Sequence, residues 1–109
     1  MIDHVVALSY PLSLEPVDFS QVVDGTPLIG GAVLGVIGER EYGVWEMSPG
    51  SMSDVETDEV CIILTGRATV EFIDLERTIE LRPGSVLHLD NGSRTVWTVT
   101  ETLRKVWVA

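Results

Sequence analysis

The sequence predicts an all-β fold, a sandwich or a barrel, from its apolar periodicity and its turn signals. Apolar residues recur at every second position in short runs rich in β-branched and aromatic side chains, such as 67–72 and 95–100. This period of two is typical of half-buried strands, and no run is long enough for an ordinary helix. Between the runs stand Pro49-Gly50, Pro83-Gly84 and Asn91-Gly92, which favour turns because proline presets φ and glycine permits a positive φ.

The runs between these turns place eight strands, and the segment before them is less regular. Val5–Leu8 could form an edge strand, and Leu14–Val23, interrupted by Pro16, could hold one helical turn. The predicted strands are Val33–Ile37, Tyr42–Met47, Val60–Thr65, Arg67–Ile73, Thr78–Leu81, Val86–Leu89, Thr95–Thr100 and Leu103–Val108.

Length and cysteine content indicate one domain that needs no disulfide. The 109 residues suit a single core, so we assign residues 1–109 to one domain. Cys61 is the only cysteine and cannot form an internal bridge, and the chain does not begin with a basic segment followed by an apolar one. We therefore expect a cytoplasmic location.

The charge balance argues against two classes of partner. Seventeen acidic and seven basic residues give a net charge of −10, which repels nucleic acid and anionic membrane surfaces. The longest apolar stretch, Leu28–Ile37, is too short to span a bilayer. The densest acidic cluster contains Asp54, Glu56, Asp58 and Glu59, and we interpret the first three as a solvated acidic loop.

From Gly43 onward the chain carries a series of motifs that closely resembles the cupin superfamily. Glu59 is followed after seven positions by Gly66, as in the second half of the first cupin motif, and Gly84 with Asn91-Gly92 matches the glycines of the second. The resemblance is to the small single-domain branch related to the cupin domain of (S)-ureidoglycine aminohydrolase. It implies a double-stranded β-helix, the RmlC-like jelly roll, with a cavity at one end. Residues 43–109 would form the core cupin motifs and residues 1–42 N-terminal strands and loops.

The metal-ligand positions of the cupin motifs are mostly replaced in this chain. Where the first motif usually has two histidines the sequence reads Met52-Ser53-Asp54-Val55-Glu56, and Thr95 replaces the histidine of the second. Of the four usual ligands only Glu59 remains, so we predict no tightly bound metal or other cofactor. A weak oxygen-only site for a divalent ion such as Mg²⁺, Ca²⁺ or Mn²⁺ could use Asp54 or Glu56 with Glu59.

Strand alternation predicts which residues line the implied cavity. If Glu59 points inward, Cys61 and Ile63 share its face, and if Thr95 replaces an inward ligand, Trp97 lies beside it. The candidate ligand pocket is completed by either Trp45 or Glu46, of which only one can face inward, and by Lys105. The alternative for Cys61 and Trp97 is simple core packing. The predicted pocket residues are Trp45, Glu59, Cys61, Ile63, Thr95, Trp97 and Lys105.

Glu59 is the candidate catalytic residue. An ionisable group inside an apolar barrel must be paired or neutralised. Glu59 could have a raised pKa and act as general acid or base, or it could pair with Lys105 or Arg104. The sequence does not decide between these two.

Three functions are compatible with these residues. The first is a cupin that binds a small molecule without histidine metal ligands. The second is a hydrolase or isomerase of a small metabolite, related to ureidoglycine aminohydrolase, with Glu59 as acid or base. The third is an interaction module with a vestigial cavity. In each case the resemblance implies a homodimer.

Overall fold

The computed structural model describes residues 3–109, which form an antiparallel jelly roll. Its strands are β1 (Glu15–Pro16), β2 (Val22–Asp24), β3 (Leu28–Ile37), β4 (Arg40–Met47), β5 (Gly50–Val55), β6 (Glu59–Phe72), β7 (Arg77–Leu81), β8 (Val86–Leu89) and β9 (Arg94–Val108). Two 3₁₀ turns, Phe19–Gln21 and Ile73–Leu75, complete the elements. In the described part of the chain no helix is long and apolar enough to cross a membrane.

The long strand β9 joins the two halves of the fold. Its first half pairs with β5 and its second half with β4, while β6 runs along its other side. On the far side of β6, β7 and β8 pair with separate halves of that strand. The register aligns Trp45 with Lys105 and Lys105 with Ile63, and it aligns Met52 with Trp97. Side chains from three strands therefore meet on the inner face of β9.

The inner faces of these strands form one apolar core. Alternation along β6 is regular, with Cys61 and Ile63 buried and Val60 and Ile62 exposed. This is the period of two that the sequence shows. The largest fully buried side chains of this core include Trp97, Met47, Ile63, Leu89, Leu103 and Val70.

Gly66 marks a bend where the sequence placed the end of a strand. The predicted strands 60–65 and 67–73 are one strand, β6, whose pairing with β9 shifts register on either side of Gly66. Gly66 has φ +96°, and a Cβ there would lie 2.2 Å from the carbonyl oxygen of Thr102. Only glycine allows this close approach, so the strand bends without ending. The predicted strands 95–100 and 103–108 are likewise one strand, β9.

Three strands were not predicted, and one predicted strand is absent. β5 was missed because its sequence, Gly-Ser-Met-Ser-Asp-Val, is poor in strand-forming residues; pairing with β9 and β2 holds it extended. The short edge strands β1 and β2 were also missed. The prediction of an edge strand at Val5–Leu8 was wrong, because this segment is irregular and turns through a hydrogen bond from Ser9 N to Val6 O. The helical turn predicted within Leu14–Val23 is the 3₁₀ turn Phe19–Gln21.

The N-terminal segment lies across the outer face of the β3–β4–β9 sheet. Arg104 Nη1 donates hydrogen bonds to the carbonyl oxygens of Ala7 at 3.0 Å and Tyr10 at 2.6 Å. Further along the segment, the backbone of Ser13 lies so close to Gly30 that a Cβ there would approach its oxygen to 2.3 Å. The sheet is therefore covered on its outer side by chain that precedes β1.

Candidate functional site

A cavity of about 470 Å³ lies between the inner faces of β3, β4, β5 and β9. Its wall combines aromatic rings with acidic side chains, and in the part of the chain that the structure describes one basic residue, Lys105, lines it. All three tryptophans of the protein line it. The lining residues are Gln21, Ile29, Gly31, Ala32, Val33, Glu41, Trp45, Met52, Asp54, Glu56, Thr57, Glu59, Trp97, Lys105, Trp107 and Ala109.

Lys105 and Glu59 form an ion pair in the cavity wall. Lys105 Nζ donates to Glu59 Oε2 at 2.7 Å, and the two side chains are only 8% and 15% exposed. Nζ also lies 4.8 Å from the ring centroid of Trp45 and 4.9 Å from that of Trp97. At these distances both rings attract the ammonium group through their negative faces. The ammonium group is therefore enclosed by one carboxylate and two indoles.

The strand register explains this arrangement and resolves two alternatives that the sequence left open. Trp45 is aligned with Lys105, and its neighbour Glu46 is aligned with Arg104. Because alternate residues point to opposite faces, Trp45 and Lys105 face the cavity while Glu46 and Arg104 face the N-terminal segment. Of the two partners considered for Glu59, the structure pairs it with Lys105.

A second carboxylate, Glu56, fixes the orientation of Trp97. Glu56 is only 7% exposed, and its Oε2 accepts hydrogen bonds from Thr95 Oγ1 at 2.6 Å and from Trp97 Nε1 at 2.9 Å. The interpretation of Glu56 as part of a solvated loop was therefore wrong. The loop backbone supports the position, since Glu56 N donates to Ser93 O and Glu56 O accepts from Gly92 N. No local pattern marks this role, because the partners lie about 40 residues further along the chain.

Two titratable groups near the cavity have raised pKa values. Burial raises the pKa of Asp54, and the nearby negative charge of Glu56 raises it further. Asp54 lies in β5 and lines the cavity, so the prediction that it belongs to a solvated loop was also wrong. Burial raises the pKa of the Cys61 thiol to about 11. The thiol is therefore protonated at neutral pH, which makes it a poor nucleophile.

The predicted pocket residues separate into two groups in the structure. Trp45, Glu59, Trp97 and Lys105 are among the residues that line the cavity. Cys61, Ile63 and Thr95 are not, because they are fully buried beneath it, although Thr95 contacts the wall through Glu56. Lining residues that were not predicted from the sequence include Gln21, Glu41, Met52 and Trp107. Met52 could have been found from alternation along β5, had that strand been recognised.

Comparison with known proteins identifies the family. The EutQ-like cupin domain matches residues 34–107, about two thirds of the chain. The chain belongs to this family. The match does not single out the ureidoglycine aminohydrolase branch of the cupins.

Solved structures share the fold at low sequence identity. The structure superposes on a protein of unknown function of the DUF861 family from Pseudomonas syringae pv. tomato with TM-score 0.77 and 20% identity, covering 92% of this chain and 44% of that one. It also superposes on the EutQ protein of Clostridium difficile, with TM-score 0.68 and 18% identity over 85% of this chain and 73% of that one. A putative ethanolamine utilization protein Q from Salmonella typhimurium matches with TM-score 0.63 and 17% identity over 91% and 94%.

These matches confirm the predicted cupin jelly roll. The chain spans less than half the length of the Pseudomonas protein. No curated protein matches the sequence.

The donor groups of this cupin do not fit a histidine-ligated metal. Neither histidine, His4 nor His88, is among the residues that line the cavity. Among residues 3–109 no three His, Cys, Asp or Glu side chains are grouped so that they could hold a metal ion. Of the oxygen set considered from the sequence, Glu59 is engaged by Lys105, and Glu56 by Thr95 and Trp97.

Proposed function

We propose that this cupin binds a small organic molecule in the cavity beside Lys105 and Glu59. The observation that carries the proposal is the enclosure of one ion pair by Trp45 and Trp97 at the wall of a cavity of about 470 Å³. Ligand sites are typically concave, of this size, and lined by aromatic groups with a few placed polar groups. The hydrogen bond from Trp97 to Glu56 holds one aromatic wall in place before any ligand arrives.

The tryptophans provide a direct binding assay. Because all three line the cavity, a ligand that enters it changes the environment of every tryptophan in the protein. A metabolite library is screened by tryptophan fluorescence, and hits are titrated by isothermal calorimetry. We expect at least one saturable ligand with one site per chain.

A matched pair of variants locates the site. Trp45→Leu removes one aromatic wall and should lower the affinity for the ligand about tenfold, a loss of about 1.4 kcal/mol of binding free energy. Phe19→Leu is the control, because Phe19 is 93% exposed and does not line the cavity. A library without any saturable ligand, or equal affinities for the two variants, would contradict the proposal.

A second candidate is a hydrolase or isomerase in which Glu59 moves a proton. The position of Glu59 in the cavity wall favours it, because Lys105 binds one carboxylate oxygen and a substrate could reach the other. The test is turnover of the ligands found in the screen. Glu59→Gln should abolish turnover but leave ligand binding measurable, and an unchanged rate would exclude Glu59 as acid or base.

The homodimer stays a prediction, as do the exclusion of nucleic acid and membranes and the cytoplasmic location. Sedimentation equilibrium of the purified chain tests the dimer. A dimer that binds none of the library compounds would favour the interaction module with a vestigial cavity.

A further inference from the structure

The charge of the cavity wall indicates what kind of molecule it accepts. Glu41, Asp54, Glu56 and Glu59 line the cavity, and within residues 3–109 Lys105 is the only basic residue that does so. The charge of Lys105 is balanced by Glu59 at 2.7 Å. The remaining three carboxyl groups face the same space without a basic lining residue to balance them. A site lined by one sign of charge attracts ligands of the other sign.

The hydrogen bonds of these carboxylates leave acceptor atoms for a ligand. Asp54 uses Oδ1 to accept from the Val55 backbone, Glu56 uses Oε2 for Thr95 and Trp97, and Glu59 uses Oε2 for Lys105. Among residues 3–109, Asp54 Oδ2 and Glu56 Oε1 accept no hydrogen bond, whereas Glu59 is contacted by the Cys61 thiol as well as by Lys105. A carboxylate is an acceptor only, so these atoms require N–H or O–H donors.

The aromatic walls favour the same sign of charge. The ring centroids of Trp45 and Trp97 lie 5.9 Å apart, and the ring planes make an angle of 59°. The ammonium group of Lys105 lies against both rings. The protein thus already binds one organic ammonium, its own, with these rings and a carboxylate. The ring faces and free carboxylate oxygens would stabilise a second cation and disfavour an anion.

We infer that the ligand of this cavity is a small organic cation that carries an ammonium group on an aliphatic chain. This inference rests on the proposed function and specifies its ligand class. The ammonium group donates to the free oxygens of Asp54 and Glu56, and the aliphatic part packs against the indole rings. Lys105 is already paired with Glu59, so the acids on β5 and in the following loop provide the specificity.

The test uses three probes of similar shape and different charge. n-Butylammonium, 1-butanol and butyrate are each titrated into the intact protein by calorimetry and tryptophan fluorescence. We expect n-butylammonium to bind about tenfold more tightly than 1-butanol, and butyrate not to bind. The affinity for n-butylammonium should fall as NaCl is raised, because salt screens the attraction.

Conservative variants identify the acids. Asp54→Asn and Glu56→Gln each keep an acceptor oxygen for the internal hydrogen bonds and remove one charge. Each should lower the affinity for n-butylammonium several-fold without changing the affinity for 1-butanol. Glu71→Gln, on the exposed face of β6, is the matched control and should change neither probe.

The outcomes separate this inference from the proposed function. If 1-butanol or butyrate binds as tightly as n-butylammonium, or if none of the three binds while the library yields a saturable ligand, the cationic class is wrong and the cavity remains a binding site. If neither the probes nor the library bind, both proposals fail.

Discussion

Two neighbouring residues of β9, Arg104 and Lys105, form buried ion pairs on opposite faces of the same sheet. Arg104 Nε donates to Glu46 Oε1 at 2.9 Å and Lys105 Nζ to Glu59 Oε2 at 2.7 Å. Exposure does not distinguish the pairs, since both bases are 10% exposed or less and both acids less than 20%.

The two pairs differ in what surrounds the charged groups. Besides Glu46, Arg104 donates to two backbone carbonyls of the N-terminal segment. Lys105 donates to one carboxylate and otherwise faces two aromatic rings and a cavity. The Arg104–Glu46 pair therefore stabilises the fold, because its further donors are bonded to the backbone. The Lys105–Glu59 pair lies at a cavity, where a ligand can contact it.

The largest effect is expected from Arg104→Met. The substitution leaves Glu46 buried without its partner and removes the donor to Ala7 and Tyr10, so the free energy of unfolding should fall by about 3–5 kcal/mol. Urea denaturation measures the loss, and limited proteolysis should show earlier cleavage within residues 3–14. Arg67→Met is the control, because Arg67 is 63% exposed and lies 3.8 Å from Glu101. That variant should lose less than about 1 kcal/mol, and equal losses would refute the structural role of Arg104.

Lys105→Ala should lower the free energy of unfolding by less, about 1–3 kcal/mol, because water from the cavity can hydrogen-bond to Glu59. The substitution removes three carbons and the ammonium group, which together match n-propylammonium. Added at ten times its Kd, n-propylammonium should restore about 1.4 kcal/mol. Thermal melts with 1-propanol as the neutral comparison measure this rescue, and Arg104→Ala should not respond. Equal stabilisation by 1-propanol would show that the rings and Glu59 do not recognise the charge.

The fold was largely predictable because its signals are local. Alternation along β6 and β9 and the turns at Pro83-Gly84 and Asn91-Gly92 lie within a few residues of the elements they define. Strand β5 was not predictable from its own residues, since its Ser and Asp side chains favour loops. It is extended because β9 and β2 pair with its two edges.

The site was predictable only in part because alternation gives the face of a residue and not its depth. Glu59, Cys61 and Ile63 share a face, as expected, but only Glu59 lies where the interior is open. Glu56 needed information that no local pattern contains. Its role depends on the β5–β9 register, which brings it to Thr95 and Trp97.

The smallest expected change in stability concerns Asp54. It tests whether the carboxylates on the cavity face of the sheet carry negative charge that no basic group balances. Burial and the charge of Glu56 raise the pKa of Asp54 in the folded protein above its value in the unfolded chain. Protonated Asp54 therefore contributes fully to the free energy of unfolding below the unfolded pKa of about 3.9, and this contribution is lost as the pH rises through the folded pKa. Asp54→Asn removes this ionisation, so it should match the parent at low pH and be more stable at pH 7. The gain should stay below about 1 kcal/mol because Asp54 is partly exposed. Urea denaturation across this pH range measures it, with Asp24→Asn on exposed β2 as the control for losing one negative charge. A loss of stability at pH 7, or the same gain from Asp24→Asn, would mean that the carboxylates of the cavity are as well compensated as Glu46 is by Arg104.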